Sequence, residues 1–148
     1  MSHAPRLTIS DDDYPELEAV AAIQRGLHQF NQEMGGPYDG EPVTVLARDE
    51  EEVVKGGLLG LTYWNWLFID WLWLSPQVRG QGLGTDLLAR AEAVARARGC
   101  TDAYTDTFSF TAPGFWRRNG WIEAGRLDGM PPGHSRIWYR KSLKDPTP

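Results

Sequence analysis

The residues Arg79-Gly80-Gln81-Gly82-Leu83-Gly84 follow an apolar strand stopped by Pro76 and precede a run with helical spacing. A helix start leaves four backbone N–H groups without partners, at the positive end of the macrodipole. Glycines there allow backbone conformations closed to other residues and let a ligand approach the main chain. The chemistry that suits such a turn is the binding of a phosphate or pyrophosphate. Two familiar phosphate loops do not fit. A Walker A loop needs Gly-Lys-Ser/Thr, and the chain contains no Gly-Lys pair. A dinucleotide fingerprint needs its third glycine where Thr85 stands, and it normally follows the first strand of its domain.

Asp70 is the second residue that could do chemistry. It interrupts the apolar strand Leu67-Phe68-Ile69-Asp70-Trp71-Leu72-Trp73-Leu74. A carboxylate buried there is costly unless it is paired or in use. Alternation puts Trp71 and Trp73 on one face and Asp70, Leu72 and Leu74 on the other. Asp106, at the end of a later strand, is the next candidate, and His28 and His134 could relay a proton. No grouping of residues suggests a metal site. The single Cys100 excludes an internal disulfide and a CxxC zinc pair, and reads as a small buried hydrophobe.

These residues need elements to hold them. A short strand is expected at Arg6 to Ser10. A helix from about Tyr14 to Phe30 follows, with Asp11, Asp12 and Asp13 as N-cap chemistry. Strands are expected at Val43 to Ala47, about Val53 to Tyr63, and Leu67 to Leu74, the last two joined by a turn near Asn65. The helix after the glycine turn runs to about Arg98, with Gly99 as its C-cap. Then come a fifth strand at Ala103 to Thr107, a short helix opened by Pro113 and ended by Gly120, and strands at Trp121 to Arg126 and Ser135 to Lys141. The pattern is α/β (α+β), with a mixed central sheet.

The chain of 148 residues carries a net charge of −5, with 41% hydrophobic residues. That size suits one domain, expected over 1–143, with 144–148 as a frayed tail. The charge disfavours nucleic acid and anionic membrane as partners. Met1 to Ser10 has no apolar signal region, and no stretch approaches the ~20 apolar residues of a membrane span. A cytoplasmic location is expected, and a homodimer is among the possible assemblies.

Val78-Arg79-Gly80-Gln81-Gly82-Leu83-Gly84 resembles the Arg/Gln-x-x-Gly-x-Gly/Ala element of the GNAT family of N-acetyltransferases. Leu72-x-Leu74-x-Pro76 looks like the end of that family's fourth strand. Ser109-x-x-Ala112-x-x-Phe115-Trp116-x-x-x-Gly120-Trp121 is similar to its later element. The resemblance covers about Leu7 to Leu143. It implies a sheet of about six to seven strands flanked by about four helices and splayed between the fourth and fifth strands. It also implies acetyl-CoA as co-substrate, without a metal. The amides of Gly80, Gln81, Gly82, Leu83 and Gly84, with Thr85, would hold the pyrophosphate, and Arg79 would add charge. The pantetheine arm would lie along Leu72, Trp73 and Leu74, near Ser109 and Trp116, while Arg117 or Arg118 would reach a CoA phosphate.

Acetyl transfer to an amine needs a base, because an alkyl ammonium with a pKa of about 10.4 offers no lone pair at neutral pH. Asp70 is the first candidate and Asp106 the second. The departing thiolate wants an acid, and Trp116 stands where the family commonly has Tyr. Tyr104, Tyr38 and Tyr139 are the substitutes, and sequence does not choose among them. Acceptor selectivity is expected from Phe30, Asn31, Glu33, Tyr38 and Asp39, which suit a small-molecule amine with an apolar part. Trp64, Trp66, Trp71 and Trp73 read either as core or as the wall of an acceptor pocket. The alternatives are a protein or peptide amine as acceptor, and a non-catalytic acyl-CoA-binding module, which the missing Tyr would suit.

Overall fold

A computed structural model describes residues 3–145 of the chain; residues 146–148 of the expected tail lie outside the described residues. The described residues fall into two compact units, divided after Tyr38.

In the first unit the expected strand at Arg6 to Ser10 is absent. Leu7 and Ile9 are 83% and 96% exposed and have no ladder partner. A strand exists through its pairing, and two alternating apolar residues do not supply it. The helix, α1, runs over Leu17–Gly35. It starts later than expected because Pro15 disfavours helical backbone at Tyr14. The aspartate run does not cap it: Asp12 accepts a bond from the Tyr14 N–H at 3.1 Å, closing a turn ahead of the helix. Glu16 is the N-cap, without a side-chain bond. Asn31, Gln32, Glu33 and Met34 carry the helix past Phe30 until Gly36 turns the chain at φ +99°.

In the second unit, β1 (Glu41–Arg48), β2 (Val54–Tyr63), β3 (Trp66–Leu74), β4 (Asp102–Phe108), β5 (Ile122–Asp128) and β6 (Ser135–Ser142) form one sheet, ordered β1-β2-β3-β4-β6-β5. Helix α2 spans Leu83–Ala97 and α3 spans Phe115–Arg118. Trp64 and Asn65, at φ 46° and 66°, form the two-residue turn that joins β2 to β3. Among the described residues only β3 and β4 pair in parallel, and α2 makes the crossover that parallel pairing requires. Its buried Leu87, Leu88, Ala91 and Ala95 pack on one face of the sheet with Val43, Leu58, Leu67, Ile69 and Ala103. Gly99, at φ +86°, ends α2 as expected, and the Cys100 N–H returns to the Ala95 carbonyl at 2.9 Å. Cys100 is buried and unpaired, in keeping with a small apolar filler.

The ladders between β2 and β3 and between β3 and β4 are both interrupted at one level of the sheet. Leu59 pairs with Trp71 but Gly60 pairs with Ile69, so Asp70 is one extra residue on β3, a β-bulge. Gly60 is needed there, since a Cβ on it would lie 2.5 Å from the Phe68 carbonyl oxygen. The parallel pairing with β4 runs from Trp66↔Asp102 to Ile69↔Thr105 and stops. Beyond that pair the two strands diverge, so the expected fourth and fifth strands, here β3 and β4, are splayed.

Candidate active site

The glycine turn has the form its sequence suggests. Gly80 and Gly82 stand at φ +78° and +80°, and a Cβ on either would meet nothing within 4 Å. The space above the main chain is open for a ligand. Gly82 is the N-cap of α2 and no side chain caps the helix, leaving its first-turn amides to face that space. Gly84 serves packing instead: it is buried, and a Cβ there would lie 3.1 Å from the Phe115 ring. Gln81 and Thr85 are exposed, while the Leu83 side chain packs on the core, so it can offer a ligand only its backbone. Arg79 is exposed, and its Nε donates to the Leu74 carbonyl at 3.0 Å, tying the turn to the end of β3. A backbone cradle with open space and no competing cap fits a pyrophosphate.

The opening in the sheet ends beside this cradle, at Leu74. Over residues 70–74 the edge of β3 that faces β4 has no strand partner among the described residues. Leu72 and Leu74 pack on the core, as alternation predicts, and Trp71 and Trp73 point away, 67% and 53% exposed. The expectation for Asp70 is corrected on two counts. It is exposed, not buried, and the bulge takes it out of phase with Leu72 and Leu74. The clustered tryptophans are therefore not core; the core indoles are Trp116 and Trp121, set edge-to-face at 5.0 Å.

Thr105 marks where the opening starts. Its buried hydroxyl donates to the Ile69 carbonyl at 2.9 Å. On the far side of the sheet from α2, Tyr104 stacks on Phe68 at 4.8 Å and its hydroxyl meets that of Tyr63 in a short hydrogen bond. Burial, the bond to Tyr63 and the charges of Asp106 and Asp70 push the Tyr104 phenol well above its ordinary range, so it keeps its proton. Asp106 is paired: Arg136 donates to its Oδ1 from Nε at 2.9 Å, with a second bond from the guanidinium.

The remaining sequence candidates divide. Trp116 is only 6% exposed and stacks at 6.4 Å against Tyr139. Both line a cavity of about 230 Å³ with Thr107, Ser109 and Arg117. Ser109 clasps β4 to β6: its N–H donates to the Ser135 carbonyl at 2.8 Å, and its hydroxyl accepts from the Ser135 N–H at 3.0 Å. Arg117 lies 3.6 Å from Glu123, whose carboxyl is held below its usual range by its bond from Arg126. Phe30, Asn31, Glu33 and Tyr38 lie in the first unit. There, Glu33 accepts from Gln29 at 3.0 Å, the Tyr38 N–H donates to Gln32 at 3.1 Å, and the Tyr38 ring meets His28 edge-on. His134 packs against Phe110. Gly60, Tyr63, Thr105 and Arg136 escaped the sequence reading, because their importance rests on cross-strand register that no local pattern carries. Among the described residues no acidic, histidine or cysteine cluster could hold a metal, and no helix is long and apolar enough to cross a membrane.

Comparison with known proteins gives a consistent result. The acetyltransferase (GNAT) family model matches residues 7–121. An acetyltransferase of Agrobacterium fabrum is 36% identical over 129 residues, covering 87% of this chain and 94% of the relative. A blasticidin-S acetyltransferase of Streptomyces morookaense is 36% identical over 138 residues, covering 90% and 93%. The crystal structure of an acetyltransferase from Bacillus cereus superposes with a TM-score of 0.83 at 30% identity, covering 90% of this chain and 97% of that one.

Proposed function

The chain belongs to the acetyltransferase (GNAT) family and is an acetyl-CoA-dependent acetyltransferase, and on that premise we propose that it acetylates the primary amine of a small molecule by direct attack in a ternary complex. The observation that carries this reading is the opening between β3 and β4, bordered by the open cradle of Gly80 and Gly82 and by Asp70. The amides of that turn and the first turn of α2 hold the pyrophosphate. The unpartnered edge of β3 lies alongside the pantetheine and offers an N–H to the thioester oxygen, as an oxyanion donor. Asp70 takes the proton of the attacking ammonium, and the protein otherwise contributes placement. For the thiolate, the raised phenol of Tyr104 is a poor acid. Tyr139, stacked on Trp116 and lining the cavity beside it, is the tyrosine we assign to this proton. The relative named for blasticidin-S supports a small-molecule acceptor.

The test is thiol release from acetyl-CoA across a panel of small amines and lysine peptides. Turnover is expected with small amines. CoA binding without release on any amine would overturn the proposal, and release on peptides alone would move the acceptor class.

A further inference from the structure

The last register pair of the parallel ladder is Ile69↔Thr105, and the next residue on each strand is an aspartate. Asp70 and Asp106 therefore stand on opposite lips of the opening, both near enough to Tyr104 to raise its pKa. They are held very differently. Asp70 occupies the bulge and is exposed. Asp106 is pinned by Arg136, which is itself fixed between aromatic rings, 5.7 Å from the centre of Phe108 and 5.2 Å from that of Trp138. Both Arg136 bonds fall on Oδ1, which leaves Oδ2 for another donor.

We infer that Asp106 is a specificity-determining residue, a fixed hydrogen-bond acceptor for a second protonated nitrogen of the acceptor, so that amines carrying two cationic nitrogens are preferred. The inference rests on the acetyltransferase reading, because the reacting nitrogen must arrive at this opening. A pinned carboxylate is suited to orienting a ligand, since its geometry is set before the ligand comes. The charges on this face agree. Arg140 is 3.7 Å from Asp102 and lies over Trp66, and Arg136 holds Asp106, while among the described residues Asp70 has no ion-pair partner within 4.0 Å. One excess negative charge remains where the acceptor arrives. The stacked rings of Phe68 and Tyr104 beside it suit the carbon chain between the two nitrogens.

The experiment is a calorimetric titration of the CoA-loaded protein with diaminobutane, aminobutanol and butylamine. Diaminobutane is expected to bind about ten-fold more tightly than butylamine, with aminobutanol between them. Asp106→Asn, nearly isosteric, should collapse the ratio toward one, and Asp106→Glu should keep most of it. A CoA titration and a melting curve on each variant establish that the cradle and fold persist. Equal affinity for the amines in the parent protein, or an unchanged ratio in Asp106→Asn, overturns the inference. Because the readout is binding, it remains readable even if no amine is acetylated, an outcome that would count against the acetyl-transfer reading instead.

Discussion

Asp70 was legible as an oddity, a charge in an apolar strand, but not in its placement, because a bulge depends on the partner strand. Its role makes a direct prediction: Asp70→Asn should lower kcat about 10²-fold or more while leaving CoA affinity nearly intact. A parent-like kcat would remove it from the mechanism. Tyr104 makes another. Its pKa in the folded chain lies above the unfolded value of 10.0, so the stability it contributes is whole below that pH. That contribution is lost as pH rises toward the folded value, because the unfolded chain ionises first. Urea unfolding should therefore weaken above about pH 10 less steeply in Tyr104→Phe than in the parent. Equal slopes would contradict the raised phenol.

The glycine turn and α2 were the most legible elements, because their signals are local: glycine conformations, an apolar stripe and a glycine C-cap. Gly82→Asp should abolish CoA binding, since its carboxylate would meet the pyrophosphate. Gly82→Ala carries the same backbone strain, about 1–2 kcal/mol, without the charge, so its weaker loss of affinity separates the two effects. Similar affinities for the two variants would place the pyrophosphate elsewhere. Strand β2 offers a contrast. Gly60 reads as an ordinary strand glycine in sequence, yet Gly60→Ala should cost about 1–3 kcal/mol in urea unfolding, because its Cβ would press on the Phe68 carbonyl.

Tertiary ties were the least legible of all. The strand order β1-β2-β3-β4-β6-β5 could be expected only through a family resemblance, and the Asp106–Arg136 pairing joins residues from different strands. So does the tie between α2 and β6, where Lys141 lies 2.7 Å from the buried Glu92 and donates to the Asn119 carbonyl at 2.9 Å. Glu92→Ala strands the ammonium beside the core and should cost about 3 kcal/mol in urea unfolding, with part of it restored by adding Lys141→Met. A loss no larger than that of a surface substitution would show that water compensates the pair. The bulge on β3 has its own consequence. Ile69 points inward before it, and Leu72 and Leu74 point inward after it, so excising Asp70 would leave an unbroken zigzag in which no neighbour changes sides. The carboxylate is thus a spliced-in residue on a strand already complete without it. A chain shortened by that one residue should still fold, with β2 and β3 paired in an uninterrupted register.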